Sequence, residues 1–325
     1  MSTISELIGL LDPERPVVVQ AHDFPDHDAV AAAFALSRLL QYFGINSTLC
    51  YGGSVQSESL KSAIRHLKIP ICSCSQLKIT EDAQIIVVDG FVGNSNMRGI
   101  PGTIVGVIDH HEPPSPPGCA FSDIRTDYGS CATIVFEYYR SSGGKMDEDI
   151  STALLMGLMM DTAFMTRGVH RVDLDAFSTL FFQGDWQLAA RLLRNSLSLA
   201  DLAIFREAIA GCTVARDFCY VPLESECSAE VAALVADFFL NLREISFVVV
   251  VSLDREEHRI SVRSEDPLRP TDVIIMNALD GIGSGGGHTH MGGGSIPRYL
   301  FPGNEGLRKL FLSALGWTGK ETDLI

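Results

Sequence analysis

Thr103-Ile104-Val105-Gly106-Val107-Ile108-Asp109-His110-His111 joins a short β-branched apolar run to three side chains that can all bind a metal, and Glu112, Pro113 and Pro114 close the segment at once. A Val/Ile-rich run of this length reads as a strand buried on both faces. Asp109, His110 and His111 then stand at its carboxyl end. Working outward, residues 16–21 form a similar run that ends at His22, and residues 84–88 form one that ends at Asp89. Residues 47–51 read as a further strand, followed by the turn pair Gly52-Gly53. Helical patterns separate these runs at residues 28–42, stopped by Gly44, and at residues 56–67. The alternation predicts an α/β fold whose N-terminal domain is a parallel sheet with helices on both faces. Ligands of open α/β sheets gather beyond the carboxyl ends of the strands. His22, Asp89 and Asp109 are therefore expected on one edge.

Helical patterns continue at residues 130–139, 149–160, 173–193 and 199–210, the second running directly into Asp161-Thr162. Asp161 reads either as a turn or cap residue or as a further member of the strand-end cluster. Beyond residue 212 the texture changes to β segments at 213–221, 245–253 and 259–263, with a helical stretch at 229–242. The expected organisation is a catalytic domain at 1–195, a linker helix at 196–212 and a smaller α/β domain at 213–325. The last of these carries a glycine run, residues 281–294, with His288 and His290 inside it. Such a run is either a linker or a place where backbone N–H groups converge on an anion without Cβ obstruction. The two histidines favour the phosphate cradle.

A chain of 325 residues exceeds what one core usually serves, which also points to two domains. With 46% hydrophobic and 20% charged residues it reads as globular and not disordered. No apolar run approaches the roughly 18 to 20 residues that a membrane span needs, and the N-terminus lacks a secretory pattern. The eight cysteines show no framework spacing, which suits reduced thiols in a cytoplasmic protein. A net charge of −15 opposes coating of long nucleic acid, which relies on many cations, yet leaves room for a short phosphate site.

Chemistry concentrates in four places: His22-x-x-x-Asp26-x-Asp28, Asp89, Asp109-His110-His111 and Asp161. Alternate side chains of an extended segment point the same way, so Asp26 and Asp28 can address one site. The inventory is carboxylate and imidazole without thiolate, which favours Mn²⁺ or Mg²⁺ over structural zinc. So many converging carboxylates would repel one another unless cations lay among them. Two divalent ions about 3.5 to 4 Å apart, bridged by one aspartate, would satisfy them and would equip the site for phosphate-ester hydrolysis.

In their order and intervals these four segments resemble the motifs of the DHH phosphoesterase superfamily. The glycine run resembles the family's C-terminal substrate-binding motif, Gly-Gly-Gly-His-x-x-Ala-Ala-Gly. Two domains with no extra module resemble the family's short-oligonucleotide phosphodiesterases, the nanoRNases or oligoribonucleases, which often also dephosphorylate 3',5'-bisphosphonucleotides such as pAp. The resemblance implies one Mn²⁺ held by His22, Asp26 and Asp89 and a second held by Asp28, Asp89, His110 and Asp161, with Mg²⁺ as a substitute. It makes Asp89 the bridge, places His111 beside the scissile phosphate and gives Asp109 the task of orienting the histidines. Arg263, Gly286, Gly287 and His288 would bind substrate, in a cleft between the domains. The implied partners are short RNA or DNA oligonucleotides, dinucleotides or bisphosphonucleotides, with no membrane, and a homodimer is left open.

Met291-Gly292-Gly293 stands where the family has Ala-Ala-Gly, and Ala163 stands where a glycine usually follows the Asp-Thr pair. These departures bear on substrate identity more than on hydrolysis. His27 and His290 read as loop polarity, and Asp23 at most supports the ligands from behind. An inorganic pyrophosphatase or exopolyphosphatase of the same superfamily would share the metals but want a more basic pocket, for which Arg263, Arg269 and Arg298 are the main candidates. A non-catalytic nucleotide sensor is the alternative from another class, opposed by the complete ligand set.

Overall fold

The apolar runs become the strands of a parallel sheet. The computed structural model describes residues 3–91, 93, 96–112, 118–194, 197–254 and 257–317. Pro113, Pro114 and residues 195–196 at the expected domain joint lie outside these. Two compact units are present, Met1–Ser196 and Leu197–Ile325.

In the first unit, β1 (Val17–Gln20), β2 (Ser47–Tyr51), β3 (Ile71–Ser73), β4 (Gln84–Val88), β5 (Thr103–Asp109) and β6 (Phe121–Ile124) form one sheet of order β3-β2-β1-β4-β5-β6. Every pairing in it is parallel. The edge strands β3 and β6 are short and carry polar residues, so neither has the apolar signature of β1, β4 and β5. The strand order reverses between β1 and β4, and such a reversal opens a crevice at the carboxyl ends of the two strands. His22 and Asp89 follow those ends directly.

The helices of this unit are α1 (Ile4–Leu10), α2 (His27–Tyr42), α3 (Glu58–His66), α4 (Cys131–Ser142), α5 (Glu148–Asp161), α6 (Arg171–Gln183) and α7 (Trp186–Arg194). Asp26 caps α2 by accepting from the Ala29 N–H at 3.0 Å. Alanine-rich α2 and apolar α5 are buried almost all round, as helices inside a core must be. They approach so closely that a Cβ on Gly157 would lie 3.0 Å from the Asp28 Cα and 3.2 Å from the Ala31 Cβ. The single helix expected across residues 173–193 is broken into α6 and α7. Gly184 marks the break, where a Cβ would meet the Thr152 nitrogen at 2.8 Å and where the Asp185 N–H donates to Thr152 Oγ1.

Successive strand side chains alternate between two faces. Val17, Val19, Leu49, Ile86, Val88 and Ile108 join the helices in the main core. Val18, Cys50, Ile85, Val87 and Val107 face the other way. There the described cover consists of loop residues such as Phe91, Met97 and Leu77 and the 3-10 turn Cys74–Gln76, where helices were expected.

The second unit holds α8 (Leu202–Gly211), β7 (Thr213–Ala215), β8 (Phe218–Glu226), α9 (Ala229–Leu240), β9 (Phe247–Asp254), β10 (Glu257–Ser264), α10 (Thr271–Leu279), β11 (Ser284–Gly287), β12 (Met291–Pro297) and α11 (Asn304–Ala314). Its sheet runs β11-β12-β10-β9-β8-β7 and is antiparallel except for the β8–β9 pair. One face packs on α10 and α11, the other on α8 and α9. The glycine run is a hairpin of this sheet, neither linker nor loose loop. A Cβ on Gly285 would lie 2.9 Å from Ile275 Cγ1 of α10 and one on Gly294 2.7 Å from the Ser284 carbonyl oxygen, so close packing favours glycine at both. Among the described residues no helix is long and apolar enough to cross a membrane.

Gly157→Val should therefore cost about 1–3 kcal/mol through overpacking against α2. Gly286→Ala, which enters open space, should stay within about 0.5 kcal/mol. Urea unfolding midpoints of the two variants check the contrast.

Candidate metal centre

Four groups of side chains that could hold a metal ion occur among the described residues, and all lie at the carboxyl edge of the first sheet. They are His22, Asp26 and Asp89; Asp28, His110 and Asp161; Asp89, His110 and His111; and Asp28, Asp89 and Cys131. Asp89 belongs to three of them and divides its two oxygens. Its Oδ2 lies 3.9 Å from His22 Nε2, whereas its Oδ1 lies 3.7 Å from His110 Nε2 and 3.5 Å from His111 Nδ1. His22 Nε2 stands 3.8 Å from Asp26 Oδ2, and His110 Nε2 stands 3.1 Å from Asp161 Oδ2. Asp89 takes a left-handed backbone with φ 58° directly after β4. Aspartate tolerates that region better than most residues.

Backbone groups fix the remaining ligand candidates. Asp28 sits in the first turn of α2, wholly buried, and its two oxygens accept the Cys131 and Ala132 N–H groups at 2.6 and 2.8 Å. Those are free donors at the N-terminus of α4, whose dipole favours a negative charge. His110 Nδ1 donates to the Tyr128 carbonyl at 3.1 Å, which leaves Nε2 with a lone pair toward the cluster when the ring is neutral. Asp109 is likewise buried and accepts on one oxygen from the His110 N–H, the His111 N–H and His111 Nδ1 at 2.7, 3.0 and 2.8 Å. Its carboxylate thus orients the His111 ring, whereas Tyr128 orients the His110 ring.

No sequence pattern marks the Tyr128 carbonyl or the α4 N–H groups for this role. Ser130, which caps α4, was the only cue. The cluster also contains a sulfur atom that was not expected, since Cys131 Sγ lies 3.7 Å from Asp89 Oδ1. Burial and the charge of Asp89 push this thiol well up, so it remains a neutral S–H donor. Asp23 points away from the cluster and accepts the Arg98 N–H at 2.8 Å. His27 is not loop polarity. It is buried in the first turn of α2, with Nε2 3.1 Å from Ser59 Oγ.

The expected substrate residues lie in the second unit. Arg263 Nε donates to Asp237 Oδ1 of α9 at 2.7 Å, and Nη1 reaches Ser261 Oγ at 3.3 Å. Gly286 is an exposed strand residue with open space beside it. Gly287 has φ 148°, and a Cβ there would lie 2.4 Å from the Met291 carbonyl oxygen. His288 and His290 flank the hairpin turn. The Thr271 hydroxyl holds the His288 carbonyl at 2.6 Å, and His290 Nδ1 donates to the Ser264 carbonyl at 3.1 Å. Ala163 adopts φ 46°, and Phe164 and Met165 follow at 59° and 65°.

The donor set fits hard divalent cations. The same carboxylates hold the pKa values of the neighbouring imidazoles up. Burial opposes a charge on His22, but the hydrogen bond and charge of Asp26, with Asp89 behind, hold its pKa up at about 9. Against the same burial penalty, Asp161 and Asp89 raise His110 to about 10, and Asp109 and Asp89 raise His111 to about 11. Burial and the charge of Asp26 push Asp161 up to about 6. Burial and the charges of Asp161 and Asp89 push Asp28 well above the usual carboxylate range.

Residues 16–158 match the model of the DHH family, N-terminal domain. An uncharacterized protein of Methanocaldococcus jannaschii is 26% identical over 308 residues, which cover 94% of this chain and 63% of that protein. The chain thus spans less than two thirds of the length of this curated relative. An exopolyphosphatase-related protein from Bacteroides fragilis superposes with a TM-score of 0.77 at 19% identity, covering 96% of this chain and 94% of that one. RecJ from Thermus thermophilus, solved in complex with Mn²⁺, gives 0.61 at 15% identity, covering 97% of this chain and 54% of that one. At such identities the likeness is one of fold.

Two pH effects follow. His22 and His110 must lose their protons to ligate, so Mn²⁺ uptake at pH 8 should release protons. Calorimetry in buffers of differing ionisation enthalpy measures this. The raised histidine pKa values stabilise the metal-free fold fully below the unfolded value near 6.5, and that contribution is lost as pH rises through about 9 to 11. Denaturation midpoints in EDTA should fall across that window, and a flat profile would show that the imidazoles are not charged by their carboxylate neighbours.

Proposed function

Because the chain carries the N-terminal domain of the DHH family, we propose that it is a cytoplasmic, Mn²⁺-dependent phosphodiesterase that hydrolyses very short oligonucleotides or linear dinucleotides to mononucleotides. The observation that carries this reading is the division of Asp89, whose two oxygens face two separate ligand groups. His22, Asp26 and Asp89 would hold one cation, and Asp28, Asp89, His110 and Asp161 the other. When bound, such a pair supplies Lewis acidity at the phosphate and lowers the pKa of water.

The protein's own residues do the rest. Tyr128 and the N-terminus of α4 keep His110 and Asp28 in one orientation. Asp109 fixes His111 through Nδ1 and leaves its half-exposed edge to the scissile phosphate, where a protonated imidazole can stabilise or protonate the leaving oxygen. Removal of a terminal phosphate from a 3',5'-bisphosphonucleotide would use the same groups. Arg263, Gly286, Gly287 and His288 remain the proposed substrate contacts of the second unit.

The pyrophosphatase and exopolyphosphatase alternatives are less well supported. Of the arginines that a polyphosphate would need, Arg269 is already matched by Asp217 and Asp266.

With Mn²⁺ present, dinucleotides should be turned over faster than pyrophosphate, cyclic dinucleotides or long oligomers. An enzyme inert toward dinucleotides but active on pyrophosphate would overturn the reading. His110→Ala should lose Mn²⁺ affinity. His111→Ala should keep the metal and lose roughly 10²- to 10⁴-fold in kcat, the usual range for a proton-transfer group. Equal loss of metal in both variants would contradict the division of roles.

A further inference from the structure

The segments that carry His22, Asp26 and Asp161 also present two aromatic rings that no core uses. Phe24, between His22 and Asp26, is 50% exposed, and Phe164, three residues past Asp161, is 43% exposed. The other exposed aromatic side chains of the first unit, among the described residues, are Tyr42, Phe43 and Phe182, at the C-terminal ends of α2 and α6. At 1.5 Å per residue the far end of α2 is about 24 Å from the ligands at its start. Of these rings, Phe24 and Phe164 are the ones that neighbour ligand residues in the chain.

A single exposed phenylalanine is ordinary. These two are held in place by specific local structure. The backbone before Phe24 is clamped at Asp23, whose N–H donates to the Asn96 carbonyl at 2.7 Å, whose carbonyl accepts the Gly53 N–H at 2.9 Å and whose carboxylate accepts the Arg98 N–H at 2.8 Å. Glycine is needed at position 53, because a Cβ there would lie 2.5 Å from the Asp23 carbonyl oxygen and 3.1 Å from the Phe24 ring. One side of the ring thus rests near bare backbone while the rest stays in water. Phe164 is the middle of three consecutive left-handed residues, pinned by its own N–H to the Met159 carbonyl at 2.6 Å and by the Met165 N–H to Thr162 Oγ1 at 3.1 Å. Strain of this kind persists where function requires it.

An exposed ring two or three residues along the chain from a clustered carboxylate offers nothing to an inorganic phosphate chain. It offers a π-face to a nucleobase. We propose that Phe24 and Phe164 stack on the bases that flank the phosphate at the metal centre and so select nucleotides over inorganic phosphates. The inference rests on the phosphodiesterase reading above.

The test titrates adenosine monophosphate and ribose 5-phosphate by calorimetry into the full-length, Mn²⁺-loaded protein and its Phe24→Ala, Phe164→Ala and Phe24→Trp variants. The wild type should bind the adenine nucleotide roughly tenfold or more tightly than the abasic sugar phosphate. That preference should shrink in each alanine variant and persist in Phe24→Trp, with Mn²⁺ affinity unchanged throughout. Equal affinity of the wild type for the two ligands, or binding of neither, would overturn the proposal. So would a preference that survives both alanine changes, and loss in one variant alone would keep that ring and reject the other. A protein inert toward dinucleotides would sink the phosphodiesterase reading, while the binding comparison would still decide the role of the rings.

Discussion

Asp26, Asp28, Asp89 and Asp161 converge at one edge of a buried sheet, and the cost of concentrating that negative charge governs everything around them. Three kinds of compensation are visible. The α4 N-terminus donates two N–H groups to Asp28, the carboxylates hold the pKa values of three imidazoles up, and the candidate donor atoms stand close enough together to hold a metal ion. Asp109 is no competitor for a cation on its bonded oxygen, which is occupied by three donors from the following two residues.

Topology explains why these groups meet at all. β1 and β4 are neighbours in the sheet although more than sixty residues separate them in the chain, and the reversal of strand order between them leaves their carboxyl ends unobstructed. The left-handed turn at Asp89 departs from β4 at that point. The close contact of α2 with α5 at Gly157 brings Asp28 beside the helix that ends in Asp161. A change in packing there would be felt directly at Asp28.

β1, β4 and most of β5 are legible in the sequence because burial on both faces forces a continuous apolar run. β3 and β6 are not, since edge strands of three and four residues with polar members leave no such mark. The clustered acids and histidines stand out for a related reason, each lying where an apolar run ends or where a helix begins or stops. The Tyr128 carbonyl and the Cys131 and Ala132 N–H groups were not, because a backbone donor or acceptor is the same in every residue. Cys131 was hidden by distance in the chain, forty-two residues from the aspartate it touches. The glycine run shows a further ambiguity. Close helix packing and open backbone for an anion both select glycine, and at Gly285 and Gly294 packing accounts for it, while Gly286 meets nothing.

The proposed hydrolysis depends on two cations that share Asp89. Electron paramagnetic resonance of the full-length protein titrated with Mn²⁺ measures this most directly. Two ions per chain with an exchange-coupled spectrum, reverting to isolated Mn²⁺ signals in Asp89→Asn, is the predicted result. A single uncoupled Mn²⁺ at saturation, or coupling that survives the loss of the Asp89 carboxylate, would contradict it.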